Sequence, residues 1–129
     1  MKTAACPCGS GSAYADCCGR FIDAQAIPET AEDLMRSRYV AYAKARTCYL
    51  SATWHPSTRP ADLSPDPAIR WIGLKILSSE AGGPADSQGW VEFVARYKVQ
   101  GRAHRLQERS YFLREQGRWL YVSGDFGAD

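Results

Sequence analysis

The sequence predicts an α+β fold in which helices cover one face of an antiparallel sheet, preceded by a small N-terminal knuckle. Two observations predict the domain: apolar residues recur at helical spacing in the first half of the chain and alternate with polar residues through the second half. A third predicts the knuckle, because four of the five cysteines lie within the first eighteen residues. We expect two units, the knuckle over residues 1–25 and the α+β domain over residues 26–129.

The N-terminal cysteines form two close pairs on either side of a short glycine and serine run: Cys6, Cys8, Cys17 and Cys18. Four thiolates at such short spacing are the ligands of a closed tetrahedral zinc site. Iron also binds four sulfur ligands, so the chemistry alone leaves it open. Two disulfides would need an oxidising compartment, and the N-terminus lacks the apolar region of an export signal. The sequence therefore predicts one structural zinc ion.

Large apolar side chains are scarce in the knuckle. Only Tyr14 could bury much area within residues 1–20, so we expect metal binding to supply the folding free energy there. Phe21 and Ile22 follow directly, and we expect them to dock the knuckle on the domain.

The composition excludes several classes of protein. The chain is 45% hydrophobic and 23% charged, as in ordinary soluble domains. Four thiolates and one divalent ion would bring the formal charge of +2 to about zero, so the basic surplus of a nucleic-acid-binding protein is absent. No apolar stretch approaches the length of a membrane span. We expect a cytoplasmic protein without a nucleic-acid partner.

Two helices are predicted in the first half of the chain. Thr30 can cap the first helix, with Asp33 at its third position, and the helix should run to about Ala45. A second short helix is expected over residues 47–54, ended by Pro56. The packed positions expected on the first helix are Leu34, Met35, Tyr39, Tyr42 and Ala45.

Four strands are predicted in the second half, over residues 69–78, 89–100, 102–114 and 119–123. Their period-two alternation indicates an antiparallel sheet with one buried and one polar face. The side chains expected to face the core from the first two strands are Ile72, Leu74, Ile76, Val91, Phe93, Ala95, Tyr97 and Val99. Trp71 is expected on the outer face.

Glu108 breaks the pattern of the third strand, because it falls on the apolar face together with Ser110. Burying a lone carboxylate is costly unless it gains hydrogen bonds, a cation or a proton. Glu108 could therefore line a pocket and act as an acid or base. The favoured alternative is a structural ion pair with a helix arginine, Arg36 or Arg38.

His55 is the second catalytic candidate, since it lies at a junction between helix and loop, where functional groups are common. A histidine that caps a helix C-terminus is the favoured alternative. Cys48 stands alone in a helical segment and is predicted to be buried and inert.

Aromatic residues are abundant, with four tryptophans and seven tyrosines. They could fill a core or line a small-molecule site, and the two look alike in sequence. The pocket candidates are Tyr39, Trp54, Phe93 and Ser110.

The knuckle resembles the SEC-C motif, a small zinc-binding module also found at the C-terminus of the preprotein translocase ATPase, in the residues Cys6-Pro7-Cys8-Gly9-Ser10-Gly11, Tyr14 and Cys17-Cys18-Gly19. This copy has Cys18 where the translocase version has histidine. The resemblance therefore implies that all four ligands are sulfur.

The rest of the chain is similar to the YchJ family of bacterial proteins. The matching segments are Leu34-Met35-Arg36-Ser37-Arg38-Tyr39, Tyr49-Leu50, Thr53-Trp54-His55-Pro56, Trp71-Ile72-Gly73-Leu74, Val91-Glu92-Phe93-Val94-Ala95-Arg96, Glu108-Arg109-Ser110 and Gly117-Arg118-Trp119. The similarity implies a SEC-C knuckle followed by a nuclear transport factor 2-like domain, in which a curved sheet and helices form a cone around a cavity. That cone occurs in isomerases, dehydratases and scaffolds, so the similarity implies no particular reaction.

Two functions fit these observations. The first, which we expect, is a zinc protein whose knuckle contacts a protein partner and whose domain binds a partner or small ligand, because a closed four-sulfur site leaves no coordination position for a substrate. The alternative is an isomerase, dehydratase or hydrolase that uses Glu108 and His55 as an acid/base pair. The conical fold often dimerises through the outer face of its sheet, and Trp71 and Trp90 in the outward register favour a homodimer.

Overall fold

A four-stranded antiparallel sheet forms the centre of the fold, with its strands in the order β1-β2-β3-β4. The computed structural model describes residues 5–63 and 66–126. The strands are β1 (Ile69–Ala81), β2 (Gln88–Val99), β3 (Arg102–Glu115) and β4 (Arg118–Phe126). The helices are α1 (Gly19–Ile22), α2 (Ala31–Ala43) and α3 (Thr47–Ala52), after a 3₁₀ turn at Tyr14–Asp16. The predicted α+β fold, with helices before a strand meander, is confirmed.

The register between β2 and β3 has no irregularity. Val91 pairs with Ser110 and Phe93 pairs with Glu108, and all four side chains are buried on the inner face of the sheet. This confirms the predicted faces of both strands, including the position of the Glu108 carboxylate among apolar side chains.

The strand β1 departs from the predicted alternation at two bulges. Trp71 pairs with Tyr97 on the inner face, but Gly73 pairs with Arg96, so Ile72 is an extra residue in β1. The prediction that Ile72 faces the core and Trp71 faces outward is wrong. The extra residue shifts the alternation by one position, so the residues of β1 before the bulge point to the face opposite to the one predicted.

The second bulge in β1 also contains one extra residue. Ile76 pairs with Phe93 and Ser78 pairs with Glu92, which leaves Leu77 as the extra residue. The two bulge residues, Ile72 and Leu77, are 46% and 43% exposed. The inward positions predicted for Leu74 and Ile76 are confirmed by their packing against the core.

The helix α2 begins where its cap is predicted. The Thr30 side chain accepts a hydrogen bond from the Asp33 amide (3.1 Å), and the Trp119 ring donates to the Glu29 carbonyl (3.0 Å), which fixes the start of α2 against β4. The helix ends at Ala43 rather than Ala45. Ala45 is exposed and has a φ of 57°, so its predicted packed position is wrong.

The knuckle and the domain share one hydrophobic core. The buried members of this core include the four knuckle cysteines together with Leu34, Met35, Tyr39, Val91, Phe93, Phe112 and Trp119. Phe21 is buried and Ile22 packs against the cluster, which confirms their docking role. The outer ends of the two predicted units, residues 1–4 and 127–129, lie outside the described residues.

The loop after α3 packs along the edge of β4. Trp54 forms a short parallel bridge with Tyr121, and the His55 amide donates to the Tyr121 carbonyl (2.8 Å). The Thr58 hydroxyl then donates to the Val122 carbonyl. These bonds position the loop residues beside the inner face of the sheet.

Candidate functional site

The four knuckle cysteines converge. Cys6, Cys8, Cys17 and Cys18 are all buried, and their Sγ atoms lie within 4.8 Å of one another. The Cys8 and Cys17 Sγ atoms are 3.6 Å apart, and those of Cys17 and Cys18 are 4.0 Å apart. Four sulfur atoms at about 2.3 Å from a central zinc ion stand about 3.8 Å apart. Distances and donor type therefore fit a metal ion that takes four sulfur ligands.

Backbone turns bring the two cysteine pairs together. Gly9 lies in the left-handed region with a φ of 81°, and its amide donates to the Cys6 carbonyl (3.1 Å). The Cys17 amide donates to the Tyr14 carbonyl (3.0 Å) at the second pair. A glycine is favoured at position 9 because other residues rarely adopt this backbone conformation.

Polar side chains support the sulfur atoms from outside the cluster. The Ser10 hydroxyl lies 3.1 Å from the Cys17 Sγ, and Arg36 donates to the Cys8 carbonyl at 3.0 Å and approaches its Sγ at 3.7 Å. A hydrogen bond from the Cys18 thiol holds the pKa of Cys8 well below its usual range, and Ser10 and Arg36 act in the same direction. Such groups stabilise thiolate ligands, and a divalent ion with four thiolates has a net negative charge that Arg36 offsets.

A separate cavity of about 210 Å³ lies between α2 and the inner face of the sheet. It is smaller than the range of about 300–1,000 Å³ typical of drug-sized ligands, so it suits a smaller molecule. Its walls are mainly apolar and aromatic, as contributed by Tyr39, Trp71, Phe93 and Leu106. Its polar residues include Arg38, Glu108, Ser110 and Tyr121.

Glu108 is 8% exposed and receives two hydrogen bonds. The Ser110 hydroxyl donates to its Oε2 at 2.6 Å, and the Tyr121 hydroxyl donates to the same oxygen at 3.2 Å. Within the described residues, no hydrogen bond to Oε1 is observed, and no fully buried side-chain oxygen lacks a partner. Oε1 is therefore not fully buried, and Glu108 is one of the residues that line the cavity.

Gly124 makes room for this carboxylate. Gly124 pairs with Ser110 across β3 and β4, and a Cβ atom added at position 124 would overlap the Glu108 carboxylate. The backbone of β4 therefore lies directly against Glu108, and a glycine here is a requirement of packing rather than of backbone conformation.

Arg38 is the second buried charge at the cavity, 4% exposed. Its Nη1 donates to the Leu50 carbonyl (2.9 Å) and to the Thr53 hydroxyl (2.6 Å). Its guanidinium lies over the rings of Trp54 (5.0 Å) and Tyr121 (4.7 Å). Burial lowers the pKa of Arg38, but a guanidinium stays charged in proteins.

The predicted ion pair between Glu108 and a helix arginine is wrong for the described residues. Arg36 instead pairs with Glu32 (3.1 Å) and holds the knuckle, while Arg38 bonds to α3. Arg38 and Glu108 line the same cavity without a direct salt bridge. Arg36 and Arg38 are two residues apart and therefore project from opposite sides of α2, one toward the knuckle and the other toward α3.

His55 and Glu108 are not brought together. His55 Nε2 lies 2.8 Å from a Glu115 carboxylate oxygen, and its Nδ1 accepts from the Ser57 amide (3.1 Å). His55 is absent from the described lining of the cavity, whereas Glu108 lines it. The imidazole thus connects the loop to the β3–β4 turn.

The other predicted pocket residues divide between the lining and its support. Tyr39, Phe93 and Ser110 line the cavity, whereas Trp54 is not among the described lining residues and its ring packs against the Arg38 guanidinium. Tyr121 is a lining residue that sequence reasoning does not single out, although its spacing from Trp119 in β4 places both on one face.

Two further expectations about exposure are corrected. Cys48, predicted to be buried, is exposed. Trp71 is on the inner face, where its ring contacts the edge of Tyr39 at 5.8 Å, so of the two tryptophans expected outside only Trp90 keeps its outward register. None of the helices in the described part of the chain is long and apolar enough to cross a membrane.

Comparison with known families identifies both parts of the chain. Residues 30–124 match the family described as "YchJ, middle NTF2-like domain". The chain belongs to the YchJ family. Residues 3–20 match the SEC-C motif, so both parts of the predicted resemblance are confirmed for this YchJ protein.

Relatives of this YchJ protein align with it over most of both chains. A UPF0225 protein of Chromobacterium violaceum is 57% identical over 125 residues, which cover 94% of this chain and 92% of the relative. A UPF0225 protein of Ralstonia nicotianae is 55% identical over 135 residues, covering 95% and 92%.

Two solved structures share the fold. The solution structure of a SEC-C motif containing protein from Rhodopseudomonas palustris has a TM-score of 0.82 at 34% identity and covers 96% of this chain and 98% of that protein. The crystal structure of a SEC-C motif containing protein from Psychrobacter arcticus has a TM-score of 0.75 at 24% identity, covering 100% and 85%, and shows the fold alone.

Proposed function

We propose that this YchJ protein binds a small organic ligand in the cavity between α2 and the sheet, and that its SEC-C knuckle is a structural zinc site. The observation that supports the proposal is the Glu108 carboxylate, which lies at the cavity wall with one oxygen hydrogen-bonded and the other without a donor among the described residues. A carboxylate held in this way can accept a hydrogen bond from a bound molecule.

The energetics favour a binding role over a purely structural one. Removing a carboxylate or a guanidinium from water costs several kcal/mol, and a well-packed apolar side chain would often stabilise the same space better. The fold nevertheless holds Glu108 and Arg38 at one cavity. Ser110 and Tyr121 donate hydrogen bonds to the carboxylate, and Gly124 leaves the space that it occupies. Function explains why buried charges are kept at a cavity wall.

The enzyme alternative finds less support. An acid/base pair must reach one substrate position, and His55 is bonded to Glu115 outside the described lining while Glu108 faces the cavity. Binding needs only the cavity and its polar end, both of which the structure contains.

Zinc is the proposed occupant of the knuckle. Four sulfur donors at tetrahedral spacing suit zinc, and a complete set of protein ligands gives it a structural rather than a catalytic role. None of the five cysteines forms a disulfide in the described structure, which is consistent with the reducing cytoplasm that we propose as the location. Elemental analysis of protein purified without added metal should give one zinc per chain; one iron per chain would replace zinc in the proposal.

A protein partner at the knuckle stays a prediction. The cysteines themselves are buried in the shared core, so a partner would contact the exposed turn around Ser10 rather than the metal ligands. The homodimer also stays a prediction, with Trp90 but not Trp71 available on the outer face of the sheet.

Ligand binding can be tested with a library of small organic fragments. Amide chemical shifts of ¹⁵N-labelled, zinc-replete protein would be recorded with and without each fragment. Fragments that bind should change the amide chemical shifts of residues around the cavity. Ala95→Leu adds volume to the cavity wall, while Ala103→Leu makes the same change at an exposed position of β3. Binding should persist in the Ala103 variant and disappear in the Ala95 variant. Hits that bind elsewhere, or equally to both variants, would refute the proposal.

A further inference from the structure

We infer that the cavity selects a small, net-neutral aromatic molecule that donates a hydrogen bond to Glu108. This inference rests on the proposed function, since it names the ligand class of the same cavity. Charge balance, hydrogen-bond polarity and the shape of the walls support it.

The charges of the cavity cancel. Arg38 and Glu108 are the charged side chains of the described lining, and the other lining residues are aromatic, apolar or hydroxyl-bearing. The Arg38 guanidinium lies over the face of Tyr121, and the Glu108 carboxylate bonds to the hydroxyl of the same ring. The two charges are therefore separated by about one tyrosine ring. A ligand with a net charge would leave one charge unbalanced in a buried site, which is costly.

The Glu108 carboxylate determines which polar group the ligand should carry. The Glu108 carboxylate only accepts hydrogen bonds, and its Oε2 already receives those of Ser110 and Tyr121. Oε1 has no donor within the described residues, so the complementary ligand group is an O–H or N–H. Because the positive charge of Arg38 is close, a neutral donor fits better than an ammonium group.

The walls suit an aromatic body. The Tyr39 and Trp71 rings meet edge to face at 5.8 Å and an angle of 75°, and Phe112 meets Tyr121 at 5.8 Å and 69°. Aromatic rings prefer such edge and offset contacts, so a ring that enters beside them can extend the arrangement. The volume of about 210 Å³ limits the ligand to a small molecule.

Four probes of matched size test the inference on wild-type, zinc-replete protein. Benzyl alcohol is a neutral donor, toluene has no donor, benzoate is an anion and benzylamine is a cation. Calorimetric titration should show benzyl alcohol binding most tightly, about tenfold better than toluene, because a hydrogen bond to a charged group outweighs the more apolar character of toluene. Equal binding of toluene, or tightest binding of either ion, would overturn the inference.

A variant tests the charge argument. Glu108→Gln keeps the shape of the side chain but leaves Arg38 as the unbalanced charge, so benzoate should bind at least about tenfold more tightly than it does to the wild type. Glu92→Gln makes the same change on the outer face of the sheet and should leave the probe order unchanged. No gain for benzoate in folded Glu108→Gln would count against the inference, and if that variant does not fold, the wild-type series decides.

The two proposals fail in different ways. If library fragments bind in the cavity but the four probes do not follow the expected order, the ligand class is wrong and the binding function stands. If neither fragments nor probes bind in the cavity, the proposed function itself is wrong.

Discussion

Gly124 allows the position of Glu108 to be tested by stability. In Gly124→Ala, the new Cβ would overlap the carboxylate, so Glu108 must leave the hydrogen bonds of Ser110 and Tyr121. Hydrogen bonds to a charged group contribute about 1.5–3 kcal/mol each. Movement of the carboxylate into the cavity recovers part of this loss, so we expect a destabilisation of about 2–4 kcal/mol.

A matched glycine and a double-mutant cycle isolate the cause. Gly73 also lies in a strand, and a Cβ atom added there would meet no other atom within 4 Å. Its replacement by alanine should therefore have little effect on the free energy of unfolding. In a Glu108→Ala background the overlap is gone, so Gly124→Ala should cost much less there than in the wild type.

The assay is guanidinium denaturation of metal-replete protein, followed by circular dichroism. A Gly124→Ala variant as stable as Gly73→Ala would refute the packing argument. A penalty that persists unchanged without Glu108 would show that the backbone, rather than the carboxylate, is disturbed.

Three further predictions concern the knuckle and a partly buried tyrosine. Cys8→Ser should unfold the domain core as well as the knuckle, since Cys8 is buried in the shared cluster, and near-ultraviolet circular dichroism should lose its aromatic signal; a native signal would contradict this. Arg36→Met should weaken zinc binding by about 10–100-fold in competition with a colorimetric chelator, while the exposed Arg96→Met should not. Burial raises the pKa of Tyr49 to about 12, partly offset by the hydrogen bond with Ser37. The unfolded chain therefore loses this proton first, and stability should fall by about 1.4 kcal/mol more between pH 9 and 11 in the wild type than in Tyr49→Phe, as measured by denaturation at both pH values.

Sequence patterns predict a site best where the backbone stays regular. Strand β3 keeps an unbroken register with β2, so the period-two pattern alone places Glu108 and Ser110 on the inner face. The sulfur cluster can also be predicted from the sequence, because the local spacing of the cysteine pairs and the short turn between them suffice to bring four sulfur atoms together.

Sequence patterns do not predict β-bulges or the tertiary partners of individual side chains. Alternating residues around Ile72 fit two registers equally well, and the extra residue that selects one of them has no signature in the pattern. The partners of Arg38 and His55 lie on other elements, α3 and the β3–β4 turn, so their bonds depend on how distant segments pack. Convergence of Glu108 and His55 could not be judged from their separate sequence environments.

The two outer strands of the sheet have their edges protected by different means. The bulges at Ile72 and Leu77 interrupt the regular row of donors and acceptors along β1, and the loop around Trp54 already occupies the edge of β4. Exposed regular edges invite strand addition and aggregation, and interruption or covering prevents it. Association of this protein with itself or with a partner should therefore involve its faces, and a mutation that removes either bulge should make the chain more prone to aggregate through β1.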